Sequence, residues 1–173
     1  MDLNFVNFDI KICECKTNIP NYLINKLKKI KLNKDYNNHN NYLKINDIDK
    51  LLYDEFFHQL NPYFDKVVKG YGFNKFKLLS YWQQKYNKKE NHDLHCHSVD
   101  NQEFSFVYYL DCSEESSFTT FFVPGYPYVN GNNKINIKPE VKKLVVFPSY
   151  IPHLVYPNKD NKRQIISGNI SYE

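Results

Sequence analysis

From residue 73 onward, apolar and polar positions alternate in short runs separated by turn residues. The runs are "FKLLSYWQQKY" (76–86), "DLHCHS" (93–98), "FSFVYYLDC" (104–112), "SFTTFFVP" (117–124), "KINIKP" (134–139), "KKLVVFPS" (142–149), "HLVYP" (153–157) and "RQIISGNISY" (163–172). Each is rich in β-branched and aromatic residues, the signature of short strands. Ahead of residue 73 the spacing is helical. "IPNYLINKLKKIKL" (19–32) predicts a short amphipathic helix with Pro20 near its first turn. "INDIDKLLYDEFFHQLNPYFDKVVKGYGF" (45–73) predicts a longer one, with Leu51, Leu52, Phe56, Leu60, Phe64, Val67 and Val68 as its apolar stripe. Pro62 is expected to kink or split that helix. "FVNFDIKICEC" (5–15) reads as an opening strand, and "NNHNNY" (37–42) as a polar loop with His39 on the surface.

Eight strands preceded by helices, without the alternation of a parallel sheet, imply a mainly β fold with N-terminal helices. A helix-backed antiparallel sandwich or jelly roll fits that order. No repeat or linker divides the 173 residues. We therefore expect one domain, with 1–72 supplying a strand and supporting helices and 73–173 the roll. The apolar stripe of the second helix needs a surface to cover, and a sheet face supplies one.

Charge narrows the partners only slightly. The net charge is +4, and its densest part is "NKLKKIKLNK" (25–34). Ile24, Leu27 and Ile30 interrupt those lysines at helical spacing, so the run reads as a solvated helix face rather than a nucleic-acid contact. The four cysteines, Cys13, Cys15, Cys96 and Cys112, have no zinc-ribbon spacing, and free thiols are expected. The start lacks a basic and then apolar leader pattern, and no apolar run approaches the about 18 residues of a membrane span. A cytoplasmic location follows as an expectation (host cytoplasm if the source is viral). Heavy use of Asn, Lys, Ile and Tyr with no Ala suggests an AT-rich genome such as that of a virus, phage or parasite.

"HDLHCH" (92–97) concentrates three of the chain's six histidines. In a strand, His95 and His97 would share one face while Cys96 points the other way. Two imidazoles on one face are two-thirds of a metal site. His153 heads a later strand after a proline-bounded turn, and ten residues on Arg163 begins the final one. Alternation there puts Arg163, Ile165, Ser167 and Asn169 on a common face. His58, on the second helix, reads as a packing or surface residue.

The stretches "YW" (81–82), "HCHSVDNQEFSFVYYL" (95–110) and "FPSYIPHLVYPNKDNKRQIISGNI" (147–170) resemble the 2-oxoglutarate- and Fe(II)-dependent dioxygenases. The likeness is to the small single-domain, prolyl-hydroxylase-like group from phages, large viruses and marine bacteria. It implies a double-stranded β-helix, the cupin-like jelly roll. It also implies Fe(II) held by His95 and His153, with His97 in the position where the wider superfamily carries Asp or Glu. Asp93 and Asp100 are the alternative carboxylates for the third ligand. Arg163 would hold the distal carboxylate of 2-oxoglutarate, and a serine of the group is replaced by Ile165, leaving Ser167 and Asn169 to compensate. O2 is the implied second cosubstrate, with succinate and CO2 released as a peptidyl or small-molecule substrate is hydroxylated.

Two further readings share the fold. One is a metal-binding roll without turnover; the other is a three-histidine cupin-type dioxygenase that uses no 2-oxoglutarate. Neither gives Arg163 a task. Tyr108, Tyr109, Phe121 and Tyr126 are candidates to line a pocket, although core packing accounts for such residues equally well. Oligomeric state is not readable from the chain.

Overall fold

The computed structural model describes residues 10–34, 41–42, 47–97, 103–123 and 134–173. The elements run β1 (Cys13–Lys16), α1 (Asn21–Lys28), β2 (Asn33–Lys34), β3 (Asn41–Tyr42), α2 (Asp47–Gly70), β4 (Phe76–Tyr86), β5 (His92–His95) and β6 (Glu103–Asp111). They continue with β7 (Thr119–Phe122), β8 (Lys134–Ile137), β9 (Lys143–Pro148), β10 (His153–Val155) and β11 (Arg163–Tyr172). Seven strands form one sheet in the order β1-β9-β6-β11-β4-β3-β2, and four form another in the order β5-β10-β7-β8. Every pairing is antiparallel. The eight strands expected after residue 73 are all present, four in each sheet, and they make the double-stranded β-helix.

Strand alternation divides the interior into two cores. Phe104, Phe106, Tyr108 and Leu110 of β6, with Leu144 and Val146 of β9 and Ile166 and Ile170 of β11, face the helices. The residues between them, Val107, Tyr109, Val145, Phe147 and Ile165, face the small sheet and meet Phe121, Ile137 and Val155 there. Period-2 side-chain geometry thus makes one sheet the partner of both layers. Tyr108 and Tyr109, adjacent in sequence, therefore belong to different cores, and Tyr109 lies with Phe121 on the side of the histidines. Tyr126 and Asp100 lie outside the described residues, as do His39 and residues 5–9 of the expected opening strand, whose last residues fall in β1.

The helices match their expected spans with three corrections. Leu51 is 77% exposed, and the buried stripe of α2 runs through Tyr53, Phe56, Phe57, Leu60, Phe64, Val67 and Val68 instead. Tyr53 wins the inward position because its hydroxyl reaches Gln83 Oε1 at 2.7 Å inside the core. Pro62 neither splits nor ends α2, which is continuous through it; it sits on the exposed side, where solvent can satisfy the carbonyl its missing N–H leaves free. The polar loop expected at 37–42 ends in β3, which extends the large sheet along β4. His58 is exposed, as expected of a surface residue, and the four cysteines are free thiols. Among the described residues no helix is long and apolar enough to cross a membrane.

One glycine is demanded by packing. A Cβ on Gly168 would stand 2.2 Å from the Ser80 carbonyl and 2.7 Å from the Phe106 ring. Any side chain there would push β11 away from β4 and β6. Gly168 thereby sets the seating of its neighbours Ser167 and Asn169.

Candidate functional site

His153 and His95 are direct cross-strand partners on β10 and β5, so their side chains stand beside each other on the inner face of the small sheet. β5 stops at His95 rather than continuing through His97, a correction to the longer strand read from the sequence. His97 has already left the small sheet, and its backbone N–H donates to the Ser149 carbonyl at 2.9 Å. Its ring nevertheless returns to the cluster. One ligand nitrogen from each of His95, His97 and His153 lies within 4.8 Å of the others, and this is the group able to hold a metal found among the described residues. Asp93 is exposed, and its carboxylate accepts from Asn91 Nδ2 at 2.7 Å, outside the cluster.

Each of these three rings is fixed from behind. His95 Nδ1 meets the Asp93 carbonyl at 2.7 Å, and His153 Nδ1 meets the Ile151 carbonyl at 3.0 Å. His97 Nδ1 meets Asn169 Oδ1 at 2.8 Å. All three partners are acceptors that have no proton to give, so the imidazole proton resides on Nδ1 and Nε2 keeps its lone pair. The Asn169 oxygen also accepts from Ser105 Oγ at 2.9 Å, Ser105 in turn is bonded to Ser149 Oγ at 2.8 Å, and Asn169 Nδ2 donates to Ser80 Oγ. Burial lowers the His153 pKa to about 2, helped by the neighbouring histidines, and lowers those of His95 and His97 in the same direction. The three rings are neutral at physiological pH. A set of three neutral imidazole nitrogens, oriented by outer hydrogen bonds, fits Fe(II).

The cavity beside the histidines is walled by inward residues of β4 and β11: Trp82, Gln84 and Tyr86 opposite Ser167, Ile165 and Arg163. Arg163 is fully buried. Its Nε donates to the Ser117 carbonyl at 3.1 Å and its Nη2 to Thr119 Oγ1 at 2.8 Å, while its plane lies over Tyr86 at 4.4 Å. Nη1 has no partner, and no carboxylate pairs with the guanidinium among the described residues. A desolvated cation with an unused donor fits an anion in the cavity. The sequence-predicted residues His95, His97, His153, Arg163 and Ser167 all line this one cavity. Asn169 shares their face, but its carboxamide is engaged with His97.

Sequence reading missed four participants: His92, Gln84, Tyr86 and Thr119. His92 stacks flat on His95 with ring centres 4.0 Å apart, and its Nδ1 is 3.3 Å from the Tyr86 hydroxyl. Burial is the main cause of the fall of its pKa to about 3, with His95, His97 and Arg163 adding to it. Alternation along "YWQQKY" could have put residues 82, 84 and 86 on one face; which face it was depended on pairing with β11, which the sequence does not display.

Comparison with known proteins identifies the family. Residues 80–169 match the model of the 2OG-Fe(II) oxygenase family, and the chain belongs to that family. It is accordingly a 2-oxoglutarate-dependent oxygenase that works with Fe(II) and O2. No curated protein matches the sequence. Among solved structures, a prolyl-4-hydroxylase of Pseudomonas putida superposes with a TM-score of 0.70 at 16% identity, over 95% of this chain and 94% of that one. The viral collagen prolyl hydroxylase of Paramecium Bursaria Chlorella virus-1, as its 2OG complex, gives 0.66 at 13% identity, over 92% and 94%. HygX from Streptomyces hygroscopicus, with nickel and 2-oxoglutarate bound, gives 0.69 at 9% identity, over 94% and 83%. At these identities the likeness is one of fold.

Proposed function

We propose that His95, His97 and His153 hold the Fe(II) through Nε2, and that Arg163 anchors the distal carboxylate of 2-oxoglutarate, with Ser167 on the same wall. The observation that carries this reading is the pairing, in one cavity, of three oriented lone pairs with a fully buried guanidinium that lacks a counter-charge. When bound, the metal would supply, with 2-oxoglutarate and O2, oxidative decarboxylation to succinate and CO2 coupled to hydroxylation, one oxygen atom going to succinate and the other to the substrate. The chain's own work is orientation and exclusion of water. The Nδ1 contacts of the three histidines fix ring angle and tautomer before the metal arrives. The two sheets and the Tyr86 and Tyr109 rings keep Arg163 out of solvent, which strengthens its attraction for a carboxylate.

Three neutral ligands leave the metal one charge more positive than a site with a carboxylate. The chelating carboxylate of 2-oxoglutarate lowers the charge at the metal by one, while its distal carboxylate neutralises Arg163. Asn169 serves in this reading as the support of His97 rather than as a contact to 2-oxoglutarate. We read the chain as one dioxygenase domain, with residues 1–72 bracing the roll of 73–173. For the substrate we propose a peptidyl side chain, prolyl in the first instance, because two proteins of like fold are named as prolyl hydroxylases.

The test is Fe(II)-dependent conversion of 2-oxoglutarate to succinate by the purified chain, with and without proline-containing peptides. Stimulation by a peptide and a gain of one oxygen on it are expected. Oxygen consumption that needs iron but ignores 2-oxoglutarate would move the three-histidine cupin reading ahead.

A further inference from the structure

Three buried side-chain polar atoms lack a hydrogen-bond partner among the described residues: Trp82 Nε1, Gln84 Nε2 and Arg163 Nη1. All three residues line the histidine cavity. Every one of these atoms is a donor, and a buried donor left unpaired is unfavourable. Three such donors on one wall, with no unpaired acceptor among them, describe the complement of an acceptor-rich ligand.

Gln84 occupies the middle of that wall. It is only 1% exposed, and the β4–β11 register sets it directly opposite Ile165. Ile165 is the inward residue between Arg163 and Ser167, and an aliphatic side chain offers a carboxylate nothing. The next inward position toward the histidines is Trp82, whose ring centre is 5.6 Å from that of His97. On the other side of Gln84 is Tyr86, the cross-strand partner of Arg163 and the ring on which its guanidinium lies. Gln84 and Arg163 are therefore diagonal neighbours, a separation that long side chains span. Arg163 has committed Nε to Ser117 and one Nη2 proton to Thr119, whereas a carboxylate presents about four acceptor sites. A second donor has room to bind beside Nη1.

We propose that Gln84 Nε2 is that donor: it and Arg163 together grip the distal carboxylate, with Gln84 filling the polar role that Ile165 leaves empty. This rests on the reading that 2-oxoglutarate lies in the cavity with its distal end toward Arg163. It adds a specificity-determining residue on a different strand from the arginine.

The test is anaerobic titration of the Fe(II)-loaded protein with 2-oxoglutarate and, separately, with 2-oxobutyrate, which has the same oxo-acid head and no distal carboxylate. Thermal midpoints of the metal-free, ligand-free proteins are measured alongside. Gln84→Leu should weaken 2-oxoglutarate by about 10- to 100-fold and leave 2-oxobutyrate within about twofold, because only the charged end loses a bond. Its ligand-free midpoint should equal or exceed that of the wild type, since an unpaired donor has been removed from the interior. Gln84→Glu should lose more 2-oxoglutarate affinity than Gln84→Leu through like-charge repulsion. Gln84→Met, closer in shape to glutamine, gives the same reading should the leucine variant fold poorly. The proposal is overturned by wild-type 2-oxoglutarate affinity in Gln84→Leu or Gln84→Met, or by equal losses for both acids. A lowered midpoint with unchanged binding would make Gln84 structural and overturn it too. Loss on Arg163→Ala with none at Gln84 overturns this inference alone, whereas wild-type protein that binds no 2-oxoglutarate overturns the site assignment and this inference together.

Discussion

The two ends of the cavity are finished to different degrees by the protein. At the histidine end, each imidazole nitrogen of His95, His97 and His153 that faces away from the cluster has an acceptor within hydrogen-bond distance, which leaves the inward lone pairs and, beside His97, the Trp82 Nε1 donor. At the arginine end, protein groups hold only Nε and Nη2, and the donors of Arg163 Nη1 and Gln84 remain unpaired in the interior. The first arrangement suits a resident ion, which needs lone pairs already in place. The second suits a cosubstrate that arrives and leaves on every turnover. A guanidinium fully satisfied by the protein would gain little from a passing carboxylate. An incomplete one has donors left to offer.

Removing a proposed ligand at the histidine end should have the largest effect. His153→Ala is expected to lower Fe(II) affinity by more than the about 100-fold that a supporting residue contributes, read by anaerobic metal titration. Retained wild-type affinity would break the assignment of that end. At the other end, Arg163→Ala should leave the metal in place. It should weaken 2-oxoglutarate by about 2–5 kcal/mol, or roughly 30- to several-thousand-fold, because one partner of a buried charged pair is lost. Arg163→Lys keeps the charge without the planar fork and should fall between. The charge-transfer absorbance of the Fe(II)–2-oxoglutarate complex follows both. Equal loss of metal and cosubstrate in Arg163→Ala would erase the distinction between the ends.

Much of this was legible before the fold was known, for reasons that differ by residue. Strand alternation and helical spacing are local, so the eight strands and both helices came within a few residues of their bounds. Arg163, Ser167 and Asn169 could be grouped because they lie on one strand at spacing two. Leu51 was misjudged because periodicity alone cannot choose between two apolar candidates at the edge of a stripe; Tyr53 was chosen by a hydrogen bond to a residue 30 positions away. Gln84 and Thr119 were illegible for a related reason. Their proximity to Arg163 is a matter of register with β11 and of closure between the two sheets, which are long-range facts. His92 stands in the histidine-rich stretch 92–97 but the sequence gives it no role, since its stacking on His95 depends on the bulge where β10 meets β5.

A smaller effect is expected one layer out. Asn169→Ala removes the acceptor from His97 Nδ1 while leaving the other two rings supported. Iron affinity should fall by about 10- to 100-fold, the range for groups that orient a ligand, and 2-oxoglutarate affinity of the metal-saturated protein should change little. Nitrogen NMR of the metal-free protein gives an independent reading. His97 should lose its single Nδ1-protonated form in Asn169→Ala, while His95 and His153 keep theirs.

The gentlest probe separates the ends by protonation. His153 has a pKa of about 2 in the folded metal-free protein and His92 about 3, burial being the leading cause in both, against about 6.5 for an unfolded histidine. Between those values the unfolded chain binds more protons than the folded one, so stability rises with pH. The contribution is fully present above about pH 6.5 and is lost progressively as pH falls below it. Each such histidine contributes a slope of at most about 1.4 kcal/mol per pH unit, with His153, the more buried, closest to that limit. Arg163 enters this profile through its influence on His92, the last of the causes acting on that ring. Urea midpoints measured with a chelator from pH 7.5 to 5 should therefore fall steadily in the wild type. The fall should be shallower in His153→Ala, with Arg163→Ala staying near the wild-type slope. A flat profile in the wild type would mean that the rings are not held neutral in the interior. The picture of a histidine end prepared in advance for its ion would then have to be abandoned.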